Sequence, residues 1–112
     1  MLLKDIAALP GCRTLTAADM ERPVTDAYAS DMLSAAMAKA GPGCIWITIQ
    51  AHSTILGVAS IKELAAVLLA EGALPDMEVL AVAARENITL FSSPETAFEL
   101  SGRIYKLLNN GD

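Results

Sequence analysis

"CIWITIQAHSTI", residues 44–55, decides the fold. Its first half, Cys44 to Thr48, is apolar with no polar alternation, the pattern of a strand covered on both faces in a parallel sheet. That reading makes it the central strand. The run then turns polar at Gln50 and at His52, the one histidine of the chain, and Ser53 or Thr54 can cap a following helix. A covered strand feeding a helix is half of a βαβ unit, so the rest of the chain is read for its partners.

Downstream, Ile55, Leu56 and Ala59 face inward on that helix, and "ELAAVLLAEG" prolongs the apolar run. Periodicity alone does not separate helix from buried strand over Ala65–Ala70. A turn at Glu71–Gly72 favours a strand, because "PDMEVLAVAAREN" then opens a fresh helix with Pro75, Asp76 and Glu78 in its first turn. Asn87 closes that helix in a left-handed conformation. "ITLFS" is the last strand, and "SPETAFELSGRIYKLL" the last helix, with Ser93 as N-cap, Pro94 at its first position, and Ala97, Leu100, Ile104, Leu107 and Leu108 on one face. Residues 109–112 are expected to fray.

Upstream, Leu2, Leu3, Ile6, Ala7 and Leu9 share one helical face, which Pro10 and Gly11 end. "CRTLT" and "VTDAYAS" read as strands separated by a polar loop. Asp31 is the expected N-cap of "MLSAAMAKA", with Ser34 in a half capping box, and "GPG" at 41–43 stops that helix. Strands alternating with helices predict an α/β fold: a single three-layer domain over 1–112, with a mostly parallel sheet of about five strands flanked by helices.

Composition agrees. Hydrophobic residues make up 54% of the 112 and aromatics 4%, so the core is aliphatic and alanine-rich. A chain of this length buries roughly two thirds of its unfolded surface and needs no staple. The surplus of apolar residues predicts a homodimer. The formal charge is -5 and the eight basic residues are scattered singly, which argues against nucleic acid as a partner. Cys12 and Cys44 are too few for a disulfide framework, a zinc site or an iron-sulfur cluster, and Cys44 reads as a small apolar core residue. No metal or cofactor is expected. "LPGC" at 9–12 has the outline of a lipoprotein cleavage site, but Lys4 and Asp5 interrupt the segment before it. No run approaches the roughly 18 apolar residues of a membrane span, so a cytoplasmic protein is expected.

The segments "VTDAYASDMLS", "GCIWITIQAHSTI", "LAAVLLAEG" and "ARENITLFSSPETAFELSGRIY", in that order, resemble the DRTGG domain family from about Leu3 to Leu108. The most specific parts are Ser30-Asp31 with Leu33-Ser34, the strand ending in "ITIQAH", and "SSPETAF". Asp26-Ala27 stands where the glycine pair of the family's name is expected, after Glu21-Arg22, so a role needing backbone freedom there does not carry over. The resemblance implies a fold like the N-terminal domain of HPr kinase/phosphorylase. It also implies a regulatory or spacer role, as in modules beside CBS domains of some pyrophosphatases and in long phosphotransacetylases. Some stand-alone members are described as kinase-like or stand beside hydrogenase genes.

A kinase would need a phosphate cradle, and no G-x-x-x-x-G-K-[ST] is present. Gln50, His52, Ser53 and Thr54 lie at the carboxyl end of the predicted central strand, the edge where open parallel sheets bind ligands. Asp31 and Glu71 lie at the same edge and are the carboxylates placed to approach His52. Ser92 and Ser93 offer an anion site at the last helix, although capping alone accounts for both. For His52 too, a solvated or capping role is the simplest reading. The methionines are core or interface filler. Together these features predict a stand-alone, non-catalytic regulatory or adaptor module that self-associates and binds a small metabolite or a protein partner at the strand ends. The alternatives are a small enzyme or phosphotransfer accessory using His52 with a carboxylate, and an accessory subunit of a hydrogenase-type redox assembly.

Overall fold

The structure, a computed structural model, describes residues 1–110. Five strands, β1 (Arg13–Thr16), β2 (Asp26–Ala29), β3 (Cys44–Thr48), β4 (Ala66–Leu69) and β5 (Leu90–Ser92), form one sheet in the order β1-β5-β4-β3-β2. The pairs from β2 to β5 are parallel, and β1 runs antiparallel to β5. The helices are α1 (Leu3–Ala7), α2 (Leu33–Lys39), α3 (Thr54–Ile61), α4 (Met77–Arg85) and α5 (Ala97–Asn110). This is the α/β architecture expected of the sequence. The central strand, however, is β4; β3 stands one place towards the β2 edge, because the antiparallel β1 extends the sheet beyond β5.

Side-chain alternation divides the core into two layers. Cys44, Trp46, Val67, Leu69 and Leu90 point to one face, where they pack against α2, α3 and α4. Ile45, Ile47, Ala66, Leu68 and Phe91 point to the other, beneath α1 and α5 through Leu3, Ile6, Leu100 and Ile104. Because β2, β3, β4 and β5 are laid down in one direction, crossovers of one hand place all three connecting helices on the same face. The opposite face is therefore left to the first and last helices. Ala36, Ala40, Ala59 and Ala83 bring α2, α3 and α4 close to the sheet and leave room for Trp46, which is fully buried. Its Nε1–H donates to Ser30 O at 2.8 Å, satisfying the one polar group of the indole.

The turn chemistry is mostly as the sequence predicts. Gly11, Glu71, Gly72 and Asn87 all take positive φ. Ala65–Ala70 is fully buried around β4, which settles the ambiguity of that run in favour of a strand. Three capping expectations fail. Asp31 does not cap α2, whose N-cap is Met32 with no side-chain bond, and Ser34 has no part in a capping box. Ser53 holds the N-cap position of α3 without a side-chain bond. Ser93 and Pro94 precede α5 by a full turn. Instead, Thr96 Oγ1 accepts from Glu99 N–H at 3.2 Å while Glu99 Oε1 accepts from Thr96 N–H at 2.9 Å, a reciprocal capping box. The glycine stop after α2 is also displaced: the helix ends at Lys39, and the left-handed residue is Gly43. At the other end, α5 takes in Asn109 and Asn110, whereas a frayed tail is expected from 109; residues 111 and 112 lie outside the described residues.

Candidate functional site

Parallel pairing sets the carboxyl ends of β2, β3, β4 and β5 along one edge, and every candidate residue named above lies there. The topology separates them into three groups. In the first, Asp31 Oδ1 accepts from Thr48 Oγ1 at 3.0 Å and from Ile49 N–H at 2.9 Å, and Gln50 Nε2 donates to Asp31 O at 3.0 Å. The carboxylate thus ties the loop after β2 to the end of β3, with Thr48 fully buried beneath it.

In the second group His52 and Ser53 line an open groove of about 320 Å³ with Leu56, Asp76, Glu78, Val79 and Val82. Here α3 begins beside the first turn of α4. Asp76 caps α4, its Oδ1 accepting from Val79 N–H at 3.0 Å. The carboxylates facing His52 are therefore Asp76 and Glu78, not Asp31 or Glu71. Neither ion pair among the described residues involves His52, whose backbone oxygen accepts from Ile55 N–H at 3.1 Å. Thr54, the first residue of α3, is exposed beside the groove. The sequence marks Asp76 and Glu78 only as helix-start residues. The signal that finds them is topological: any residue opening the helix after β4 comes to the edge that carries His52.

In the third group Glu71, Ser92 and Ser93 knit the β4–α4 and β5–α5 loops. Glu71 N–H donates to Glu95 O at 2.8 Å and Gly72 N–H to Ser93 O at 2.8 Å. Ser92 Oγ donates to Ala73 O at 2.9 Å, while Ser93 Oγ accepts from Glu95 N–H at 3.1 Å. These hydroxyls are held by backbone. Beside them, Glu95 and Arg103 form a bidentate pair at 2.6 and 2.7 Å. That hydrogen bonding holds the Glu95 carboxyl below its ordinary range and the Arg103 guanidinium above its own.

A further groove, of about 470 Å³, lies away from all of these residues, between the β2 edge and α5. Asp26 lies on that edge, and its Oδ1 accepts from the N–H of Ala27 at 2.8 Å, which occupies a donor that an added strand would need. We therefore place the candidate site at the strand ends, where side chains from three loops converge. Among the described residues no group of three or more histidine, cysteine or acidic side chains is arranged to hold a metal ion. No helix of the described residues is long and apolar enough to cross a membrane.

A mostly parallel five-stranded sheet with three crossover helices on one face and two terminal helices on the other defines a three-layer α/β domain. One solved structure whose fold it resembles is the regulatory region, comprising CBS and DRTGG domains, of a Clostridium perfringens pyrophosphatase, complexed with its activator diadenosine tetraphosphate. The TM-score is 0.63 at 16% identity, and the likeness covers 90% of this chain. This chain spans about half of that one, 47% of its length. No family model and no curated protein matches the sequence.

Proposed function

We propose that this domain is a non-catalytic regulatory or adaptor module that self-associates and receives a small ligand or protein partner at the carboxyl ends of its parallel strands. One observation carries the reading. The hydroxyl, amide and carboxylate groups with side-chain bonds at this end, on Asp31, Thr48, Gln50, Asp76, Ser92 and Ser93, are engaged in holding the loops. The imidazole that remains stands exposed in an open groove. Such an edge is preorganised to be bound, and it lacks the oriented nucleophile and base that turnover requires. The likeness to a regulatory region gives further support. A ligand or partner would act by favouring one arrangement of the dimer over another.

A second reading, a small enzyme or phosphotransfer accessory, draws on the presence of Asp76 and Glu78 in the same groove as His52. Against it, Asp76 is committed to capping α4.

The two readings separate in one set of measurements on the wild type and His52→Ala: sedimentation for oligomeric state, and thermal unfolding with nucleotides, diadenosine tetraphosphate and polyamines. A dimer retained by both proteins, with a ligand-dependent rise in Tm only in the wild type, supports the module. A monomer unmoved by every compound removes self-association and the small ligand from the reading and leaves only a protein-partner role, and consumption of any compound by the wild type alone supports the enzyme.

A further inference from the structure

The edge that carries the candidate site also gathers large apolar side chains that nothing covers. Met77 is 85% exposed, Phe98 87%, Met32 63%, Leu74 52% and Ile49 44%. They come from four loops and helix starts that follow β2, β3, β4 and β5, so the chain topology brings them to one end of the sheet. Charge is sorted along the same axis. Asp31, Glu71, Asp76, Glu78 and Glu99 stand at this end, where the fixed positive charges are Arg13 and an Arg103 already paired with Glu95. The basic residues of the three crossover helices, Lys39, Lys62 and Arg85, all sit at the far end, beside Glu63 and Glu86.

Exposed apolar side chains and carboxylates gathered at one end of the sheet select their occupant. A phosphate-bearing ligand meets like charge, and a second copy seated end to end would set two acidic ends against each other. Neither matches the pattern; a segment with apolar residues on one face and lysines or arginines around them does. The exposed methionines are side chains that adapt to such a segment. We propose that the carboxyl end of the sheet is the docking surface for a basic amphipathic segment of a protein partner. This rests on the regulatory or adaptor reading and gives the partner its chemistry.

The test uses a fluorescent 18-residue peptide with leucines on one helical face and lysines on the other, and the same peptide with glutamates for lysines, followed by anisotropy. The basic peptide is expected to bind and the acidic one not, with affinity falling as salt rises. Met77→Ser with Phe98→Ser, and separately Glu71→Gln with Glu78→Gln, are expected to weaken binding by about tenfold or more. These side chains are exposed, so the fold survives the changes, as circular dichroism will show. Ile61→Ser, at an exposed position of the opposite end, leaves binding unchanged.

Failure of the basic peptide to bind, equal binding of both peptides, or binding indifferent to the end variants overturns the proposal. So does loss of a dimer in Met77→Ser with Phe98→Ser, which would show that a second copy covers this end. A monomer that binds the basic peptide at this end removes self-association from the proposed function and leaves the docking surface standing. A dimer with a ligand-dependent Tm that binds no peptide removes the docking surface alone.

Discussion

Asp31 Oδ1 takes the hydroxyl hydrogen of Thr48 at 3.0 Å, joining the loop after β2 to the last residue of β3. The same oxygen takes the N–H of Ile49 at 2.9 Å, and Thr48 Oγ1 in turn accepts from Gln50 N–H at 3.1 Å. Asp31→Ala would leave a hydroxyl on a fully buried residue and the Ile49 N–H without their acceptor, while the Gln50 Nε2 bond to the backbone oxygen of residue 31 would remain. The expected cost is about 1–3 kcal/mol, from the penalty of an unmet buried polar group. Urea unfolding checks it: a change below about 0.5 kcal/mol, the scale of an ordinary surface substitution, would show that the bond contributes nothing.

Backbone conformation makes opposite predictions at two adjoining positions. Gly43 has φ +79°, and a Cβ added there would lie 2.6 Å from Thr25 Oγ1. Its N–H donates to the carbonyl of Glu63, a residue held at φ +53° without glycine's freedom. Gly43→Ala is expected to destabilise by more than about 1 kcal/mol, since left-handed strain adds to the clash. Glu63→Gly is expected to stabilise by up to about 1 kcal/mol, because the left-handed conformation costs a non-glycine residue roughly that much. Chemical denaturation of both variants tests the pair, and a loss of stability in Glu63→Gly would refute the argument at that site.

His52→Ala is expected to change stability by no more than about 0.5 kcal/mol, as suits an exposed side chain that takes part in neither ion pair of the described residues. Asp76→Ala, on the other side of the groove, is expected to cost about 1 kcal/mol through loss of the α4 cap. Thermal unfolding compares them. A His52→Ala loss as large as that of Asp76→Ala would mean that the imidazole supports the fold, against the role proposed for it.

The difference between what could and could not be read from the sequence lies in the range of the interactions. The covered strands and the left-handed turns at Glu71–Gly72 and Asn87 depend on local composition, and were legible in it. Asp31 and Ser93 have the right side chains for N-caps and stand near helix starts, yet each finds a better partner across the sheet edge or within its own loop. Propensity states what a residue can do locally; which bond it makes depends on the strand order. Strand order also decides that Asp76 and Glu78, not Asp31 and Glu71, face His52. Reading β4 as the third of four consecutive parallel strands would have found them, but the antiparallel attachment of β1 has no signature within any single segment.

The two thiols give the fold a pH dependence of definite sign. Burial raises Cys44 from an ordinary 9.0 to about 11, with the Asp26 charge adding to the rise and a backbone hydrogen bond at Gly41 opposing it. Burial likewise raises Cys12 to about 11. Each thiol thus ionises more readily in the unfolded chain than in the folded one. Their contribution to stability is complete below about pH 9 and is lost as the pH rises towards 11. The urea midpoint is expected to fall between pH 8.5 and about pH 10.5, and less steeply in a Cys12→Ala, Cys44→Ala double variant, where only tyrosines, lysines and the α-amino group titrate. At pH 8 the folded chain should react with a thiol-specific disulfide reagent at least about a hundredfold more slowly than the urea-unfolded chain, the ratio of thiolate populations that two pKa units impose. Equal rates in the two states, or an unchanged alkaline slope in the double variant, would show that these thiols are not shielded by the core in which Cys44 is packed.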